Sequence, residues 1–162
     1  MTPHNQDSSL RRARAAGDWM LHPMALGAMA TLALNDHVLK AAYPSWWTGK
    51  LSDVAGIIFF PWLLVSFWEL SRQALRRPWQ ANRVVLLSSI ALTALVFAAV
   101  KVNDQAGTAL RVVLVHFWSS IATYAPWLVP GRVRHTVDPT DLLVLPLLWL
   151  PWWLGTRRIA RT

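Results

Sequence analysis

At 162 residues the chain is the size of one domain, and 54% of its residues are hydrophobic, gathered in long blocks instead of an amphipathic alternation, which is a membrane composition. A formal charge of +8 on a soluble surface would point to nucleic acid, but the arginines flank apolar blocks, so the charge reads as membrane topology and a nucleic-acid partner is excluded. The absence of cysteine excludes disulfides, thiolate metal sites and cysteine nucleophiles.

In chain order, residues 1–18 read as a polar cytoplasmic tail carrying Arg11, Arg12 and Arg14. A first span is predicted over 19–40, with its apolar centre at Met24–Leu34. No small-residue cleavage site follows, so the segment reads as a retained helix and not a signal peptide. It runs into Asn35-Asp36-His37 and Lys40. Asp36 and Lys40 are four apart and can pair on one helical face, which makes them the best candidate for an inward-facing polar feature. Next come Thr48-Gly49-Lys50-Leu51-Ser52-Asp53, where Ser52 or Asp53 is expected to cap the second span, 54–70. Glu69, near the end of that span, is expected to make a surface salt bridge with the arginine-rich connection. The third span is predicted over 84–100. Lys101 closes it and is expected to snorkel to the headgroups. The second and third spans reach about 26 Å, enough for a thin hydrocarbon core.

The stretch 108–129 is also long enough to span. On a helical wheel, however, Leu110, Val113, Leu114, Phe117, Ile121, Tyr124 and Leu128 oppose Thr108, Arg111, His116, Ser119, Ser120 and Thr123. It is therefore read as an interfacial or re-entrant helix. The fourth span is predicted over 139–155. Asp138-Pro139-Thr140-Asp141 reads as an N-cap, a proline at the first helical position and an acid at the third. A basic tail, 157–162, follows. Trp19, Trp46, Trp47, Trp79, Trp127, Trp152 and Trp153 lie near segment ends, as an aromatic belt requires.

With four spans, ten of the sixteen basic residues fall on one side: Arg11, Arg12, Arg14, Arg72, Arg76, Arg77, Arg83, Arg157, Arg158 and Arg161. That bias sets both termini in the cytoplasm of a cell inner or plasma membrane. The lysines, Lys40, Lys50 and Lys101, go to the outer side with Arg111, Arg132 and Arg134. Each lysine has an aspartate within four residues: Asp36, Asp53 and Asp104. In a compact bundle these strings, with His135, Asp138 and Asp141, converge at one end and line one pocket.

Such a cluster has bland uses, as caps, dipole partners and structural ion pairs. It also has sharper ones. Asp36, His37 and Asp53 are the candidate catalytic groups, with Ser52 beside Asp53 as a conceivable nucleophile, for chemistry on a lipid-linked substrate. Lys40, Lys50, Lys101, Asp104, Asp138 and Asp141 are the candidate ligand-binding residues. His37 and His135 with the aspartates have no metal-ligand spacing, and neighbouring lysines oppose an anionic cage, so neither metal nor cofactor is expected. No acid or base lies deep in a span, which argues against a proton-coupled pump.

Lys50-Leu51-Ser52-Asp53 leading into Gly56-Ile57-Ile58-Phe59-Phe60-Pro61, with Gly131-Arg132 ahead of Asp141-Leu142-Leu143, resembles short pieces of VanZ-type small membrane proteins. The histidine that those proteins place after the first lysine is missing, as is a Glu-x-x-Gln string, so no function is carried across. The expectation is an all-α integral membrane protein: a four-transmembrane-helix bundle plus one amphipathic helix. Its expected role is that of a non-enzymatic accessory or lipid- or small-molecule-interacting component, with membrane lipids and a protein partner or second copy as its partners. The alternatives are a membrane-embedded enzyme and, behind it, a channel or carrier.

Overall fold

The computed structural model describes residues 15–43, 45–122 and 138–161, and among them every regular element is helical. A single 3₁₀ turn, Asp18–Leu21, precedes α1 (Pro23–Leu34). His22 breaks the first predicted span at its start: its backbone is extended and its Nδ1 accepts from the Met24 N–H, capping α1. At its far end α1 widens into a π turn, Asn35–Leu39, and closes with α2 (Lys40–Ala42).

Helix α3 (Trp46–Ala74) is longer than the 54–70 predicted. Its cap is Ser45 and not Ser52 or Asp53. The Ser45 side chain accepts from the Thr48 N–H while the Thr48 hydroxyl accepts from the Ser45 N–H, a reciprocal box that starts the helix eight residues early. The polar string from Thr48 to Asp53 is therefore helical, and it projects side chains at fixed heights on a rigid rod. Helix α4 (Arg83–Val102) starts at an Asn82 cap. Asn103 then turns the chain by accepting from the N–H groups of Gln105 and Ala106, and α5 (Asp104–Ala122) leaves from it. Of the 108–129 stretch, residues beyond 122 lie outside the described residues.

The last segment is continuous from Pro139 to Ala160 but changes geometry. Pro139–Leu148 is 3₁₀ helix and α6 (Trp149–Ala160) completes it. Pro146 has no N–H to give an α-helical ladder and its ring would crowd the carbonyl four residues back, which disfavours ordinary α-helix here. Ten residues of 3₁₀ helix rise about 5 Å more than ten of α-helix. A segment that looked short in sequence thereby carries Asp141 level with the first turns of α3.

α1, α3, α4 and the last segment alternate in direction. Asn35 at the end of α1 meets Thr48 and Ser52 at the start of α3, Lys101 at the end of α4 meets Asp53, and Lys50 meets Asp141. At the opposite end Trp19, Glu69 and Ala81 meet. The two ends are called here the lysine end and the arginine end. Between them lie two apolar clusters. Trp19, Ala25, Trp62, Val65, Ala81 and Leu86 fill the arginine half; Ile57, Val144 and Leu148 fill the lysine half. Helix α5 packs on α4.

Two helices, α3 and α4, are long and apolar enough to cross a membrane. Only 39% and 22% of their most apolar windows are buried, whereas the core helix of a soluble protein would be mostly covered. Val84, Leu95 and Phe67 are each 69% exposed along them. Water would oppose so much uncovered apolar surface; lipid would not.

Candidate functional site

The lysine end holds a network in which partners are exchanged between helices. Lys50 does not pair with Asp53, nor Lys101 with Asp104, although sequence distance favours both. Lys50 Nζ instead donates to Asp141 Oδ1 and to Thr140 Oγ1 at 2.9 Å, with Asp138 Oδ2 at 3.7 Å. Lys101 Nζ donates to Asp53 Oδ2 at 2.8 Å and to Asp141 Oδ2 at 2.5 Å. Asp141 is thus shared by two ammonium groups, and its side chain is only 7% exposed. The ring faces of Trp46 and Phe97 lie 5.0 and 5.4 Å from Lys50 and Lys101 and screen the same groups from water. Lys101 does not snorkel, and Asp141 does more than complete a helix start: each is half of a partly buried ion pair joining separate segments.

A second branch starts at the π turn. Asp36 and Lys40 do pair, at 2.7 Å, but outward; both side chains are about 40% exposed. The inward residue is their neighbour Asn35, which is fully buried. Its Nδ2 donates to the Thr48 carbonyl at 2.6 Å and to Ser52 Oγ at 2.7 Å, and Ser52 in turn donates to Asp36 at 2.9 Å. The extra residue of the π turn accommodates both orientations, since it shifts the helical register by about a quarter turn between Leu34 and Lys40. Asn35 Oδ1 is buried and has no hydrogen-bond partner among the described residues.

Two candidate residues stand outside these branches. His37 is exposed and directs Nδ1 to the Ala33 carbonyl, 3.0 Å away. Asp104 is an exposed first-turn acid of α5. The catalytic grouping of Asp36, His37 and Asp53 is therefore divided: Asp36 binds Ser52 and Lys40, Asp53 binds Lys101, and His37 binds its own helix. Ser52 leans on Asp36 and not on Asp53. His135 lies outside the described residues. Among the described residues no group of three or more acids and histidines is arranged to hold a metal ion. Asp138 caps the last segment; the Thr140 hydroxyl, at 2.6 Å, and then the Thr140 N–H hold its carboxyl below the usual carboxylate range.

The arginine end contains a residue that sequence reasoning misjudged. Glu69 makes no surface salt bridge with Arg72, which donates instead to the Pro78 carbonyl. Glu69 is fully buried and accepts from the Trp19 indole N–H at 2.9 Å, the Ala81 N–H at 3.0 Å and the Gly17 N–H at 3.1 Å. Ser66 donates to the Gly17 carbonyl, and Arg158 reaches Asp18 at 2.5 Å while lying over the Trp19 ring. One carboxylate thereby ties the chain before α1 and the α3–α4 connection to α3. Its partners include two backbone groups and an indole, ones that no charge pattern announces.

No family model matches this chain, and neither a curated protein nor a solved structure matches it. The short pieces resembling VanZ-type proteins therefore bring no family assignment with them.

Proposed function

We propose that this is a multipass membrane protein with four spans, 19–40, 54–70, 84–100 and 139–155, both termini in the cytoplasm and the lysine end outside. Helix α5 then starts in the outer interface. The role best supported is that of a non-enzymatic component interacting with lipid or a small molecule, its lysine end being an interhelical clamp. The observation that carries this is Asp141, which holds Lys50 of α3 and Lys101 of α4 at once while Lys101 also holds Asp53. These carboxylates and ammonium groups are spent on one another. A general base needs a free lone pair aimed at a substrate, and a nucleophile needs such a base; Asp141 turns both oxygens, and Asp53 its Oδ2, to lysine ammonium groups. Partly buried ion pairs joining segments fix the bundle's register, a use for which polar groups at membrane depth are suited.

The native chain lacks cysteine, so topology is directly testable. Tyr43→Cys and Gln80→Cys, both exposed positions in connections, should react with an impermeant maleimide from opposite sides of sealed vesicles. Labelling of both from the same side would end the four-span reading. The clamp is tested separately by denaturant unfolding in detergent. Asp141→Asn, which takes a carboxylate from both Lys50 and Lys101, should lower the unfolding free energy by about 2–4 kcal/mol; an unchanged value would remove the clamp.

A further inference from the structure

The arginine end is as one-sided in charge as the lysine end is balanced. Its described acids are committed: Asp18 binds Arg158, and Glu69 is sealed in the core. Among the described residues no carboxylate lies within ion-pair distance of Arg76, Arg77, Arg83, Arg157 or Arg161, and all five are exposed. They also share one rim. Ala81, before α4, belongs to the same apolar cluster as Ile159 of α6, and Leu86 packs where Gly155 lacks a side chain. The arginines of the α3–α4 connection and of the α6 end therefore surround one packed core. Arg157 lies 3.7 Å from the centre of the Trp153 ring, and Trp79 is half-buried beside the same connection. Indoles with guanidinium groups are the pairing that suits the headgroup layer.

Arg76 adds an independent observation. It ends α3 with φ of 51°, the left-handed conformation, and is the one non-glycine residue with positive φ among the described residues. Its N–H donates to the Gln73 carbonyl and the Arg77 N–H to the Arg72 carbonyl, a closing motif whose left-handed position is ordinarily glycine. An arginine at this position strains the backbone that glycine would relax. The conformation sets two consecutive arginines, Arg76 and Arg77, at the rim. A residue that costs stability where a better one is available points to selection for its side chain.

We infer that this rim binds the headgroups of anionic phospholipids in the cytoplasmic leaflet, through Arg76, Arg77, Arg157 and Arg161. The inference rests on the membrane reading above and adds to it the lipid class and the face. Guanidinium forks match phosphodiester oxygens, and basic pockets between helix ends on the cytoplasmic side are where such headgroups lodge.

The test uses the full chain in nanodiscs of phosphatidylcholine alone and of phosphatidylcholine with a minor share of phosphatidylglycerol. The anionic lipid should raise the melting temperature by about 5 °C, and the gain should shrink as salt is added. Arg76→Gly should melt no lower than the native chain in pure phosphatidylcholine yet lose part of the phosphatidylglycerol gain. Arg76→Gly with Arg77→Gln, Arg157→Gln and Arg161→Gln should lose most of it. Inorganic phosphate added to phosphatidylcholine discs should not reproduce the gain; if it does, the site reads free phosphate and the lipid assignment falls. Equal melting temperatures in both discs, or a full gain in the fourfold variant, would overturn the inference and leave the membrane reading standing. Failure of the chain to enter either disc would take down both.

Discussion

The two ends of the molecule solve the same problem, a carboxylate out of water, in opposite ways. At the lysine end Asp53 and Asp141 are neutralised by side chains from other helices. At the arginine end Glu69 accepts, among the described residues, from two backbone N–H groups and an indole. The first arrangement can be rebuilt by substituting its members together. The second cannot be rebuilt in the same way, because two of these donors, the Gly17 and Ala81 N–H groups, belong to the main chain and stay wherever the fold puts them. A network of side chains specifies which helices meet; a carboxylate held by backbone specifies where two connections lie.

The largest expected effect tests that asymmetry. Glu69→Ala leaves three N–H groups aimed at an empty site, and should lower unfolding free energy in detergent by about 3–5 kcal/mol. Glu69→Gln keeps the volume and one acceptor oxygen, and should cost about 2 kcal/mol. Denaturant titration monitored by tryptophan fluorescence reads both directly, since Trp19 is itself a partner. A loss below about 1 kcal/mol for Glu69→Ala would mean that water reaches the site and that the two ends do not differ in kind.

Lys101→Met should come next, at about 2–4 kcal/mol, because it strands Asp53 and leaves Asp141 to Lys50 alone. Adding Asp53→Leu to Lys101→Met should recover part of that loss, since the remaining Asp141–Lys50 pair is neutral and the replaced pair is apolar. No second substitution should rescue Glu69→Ala in this way. Additive losses in the Lys101–Asp53 cycle would show that the two do not act as a pair.

The same contrast explains what the sequence made legible. Helical class, the antiparallel order of the long segments and the sorting of lysines from arginines all follow from apolar block length and charge position. The α4 segment, predicted over 84–100, lies within Arg83–Val102. Partner choice followed for Lys40, which pairs with Asp36 as expected, but not for Lys50 and Lys101, whose nearest aspartates in sequence are not the nearest in space. Asp53 lies three residues from Lys50 on α3, yet the approach of α4 gives it to Lys101. The early start of α3 was hidden because the box of Ser45 with Thr48 uses Thr at the position where Glu or Gln is the usual signal. Glu69 was misjudged because an acid among arginines reads as surface, and nothing in its own neighbourhood announces Trp19, fifty residues away.

A smaller effect separates two adjacent turns. Asn35→Ala removes the donor to the Thr48 carbonyl and to Ser52 inside the bundle, and should cost about 2 kcal/mol. Lys40→Ala removes only an exposed i,i+4 pair, and should cost about 0.3 kcal/mol. Both are read by the same denaturant titration. Equal losses would mean that the π turn does not divide an inward from an outward face.

The smallest effect concerns protonation of the Asp138 cap. Its carboxyl is held below the usual range first by the Thr140 hydroxyl and then by the Thr140 N–H, with Lys50 Nζ at 3.7 Å adding attraction and Asp141 opposing it. A carboxyl whose folded value is depressed stabilises the fold fully above its unfolded value, and that contribution is lost as pH falls through the folded value. The cap should therefore be unaffected by pH through the neutral range and should weaken only under acid conditions, below the titration of an ordinary aspartate. Thr140→Ala removes the hydroxyl and keeps the backbone donor, so the Asp138 titration should move upward part of the way, followed by carbon-13 chemical shift of labelled aspartate. An Asp138 signal that titrates at the ordinary aspartate value in both proteins would detach the cap from the lysine network and leave Asp141 as the link between the last segment and α3.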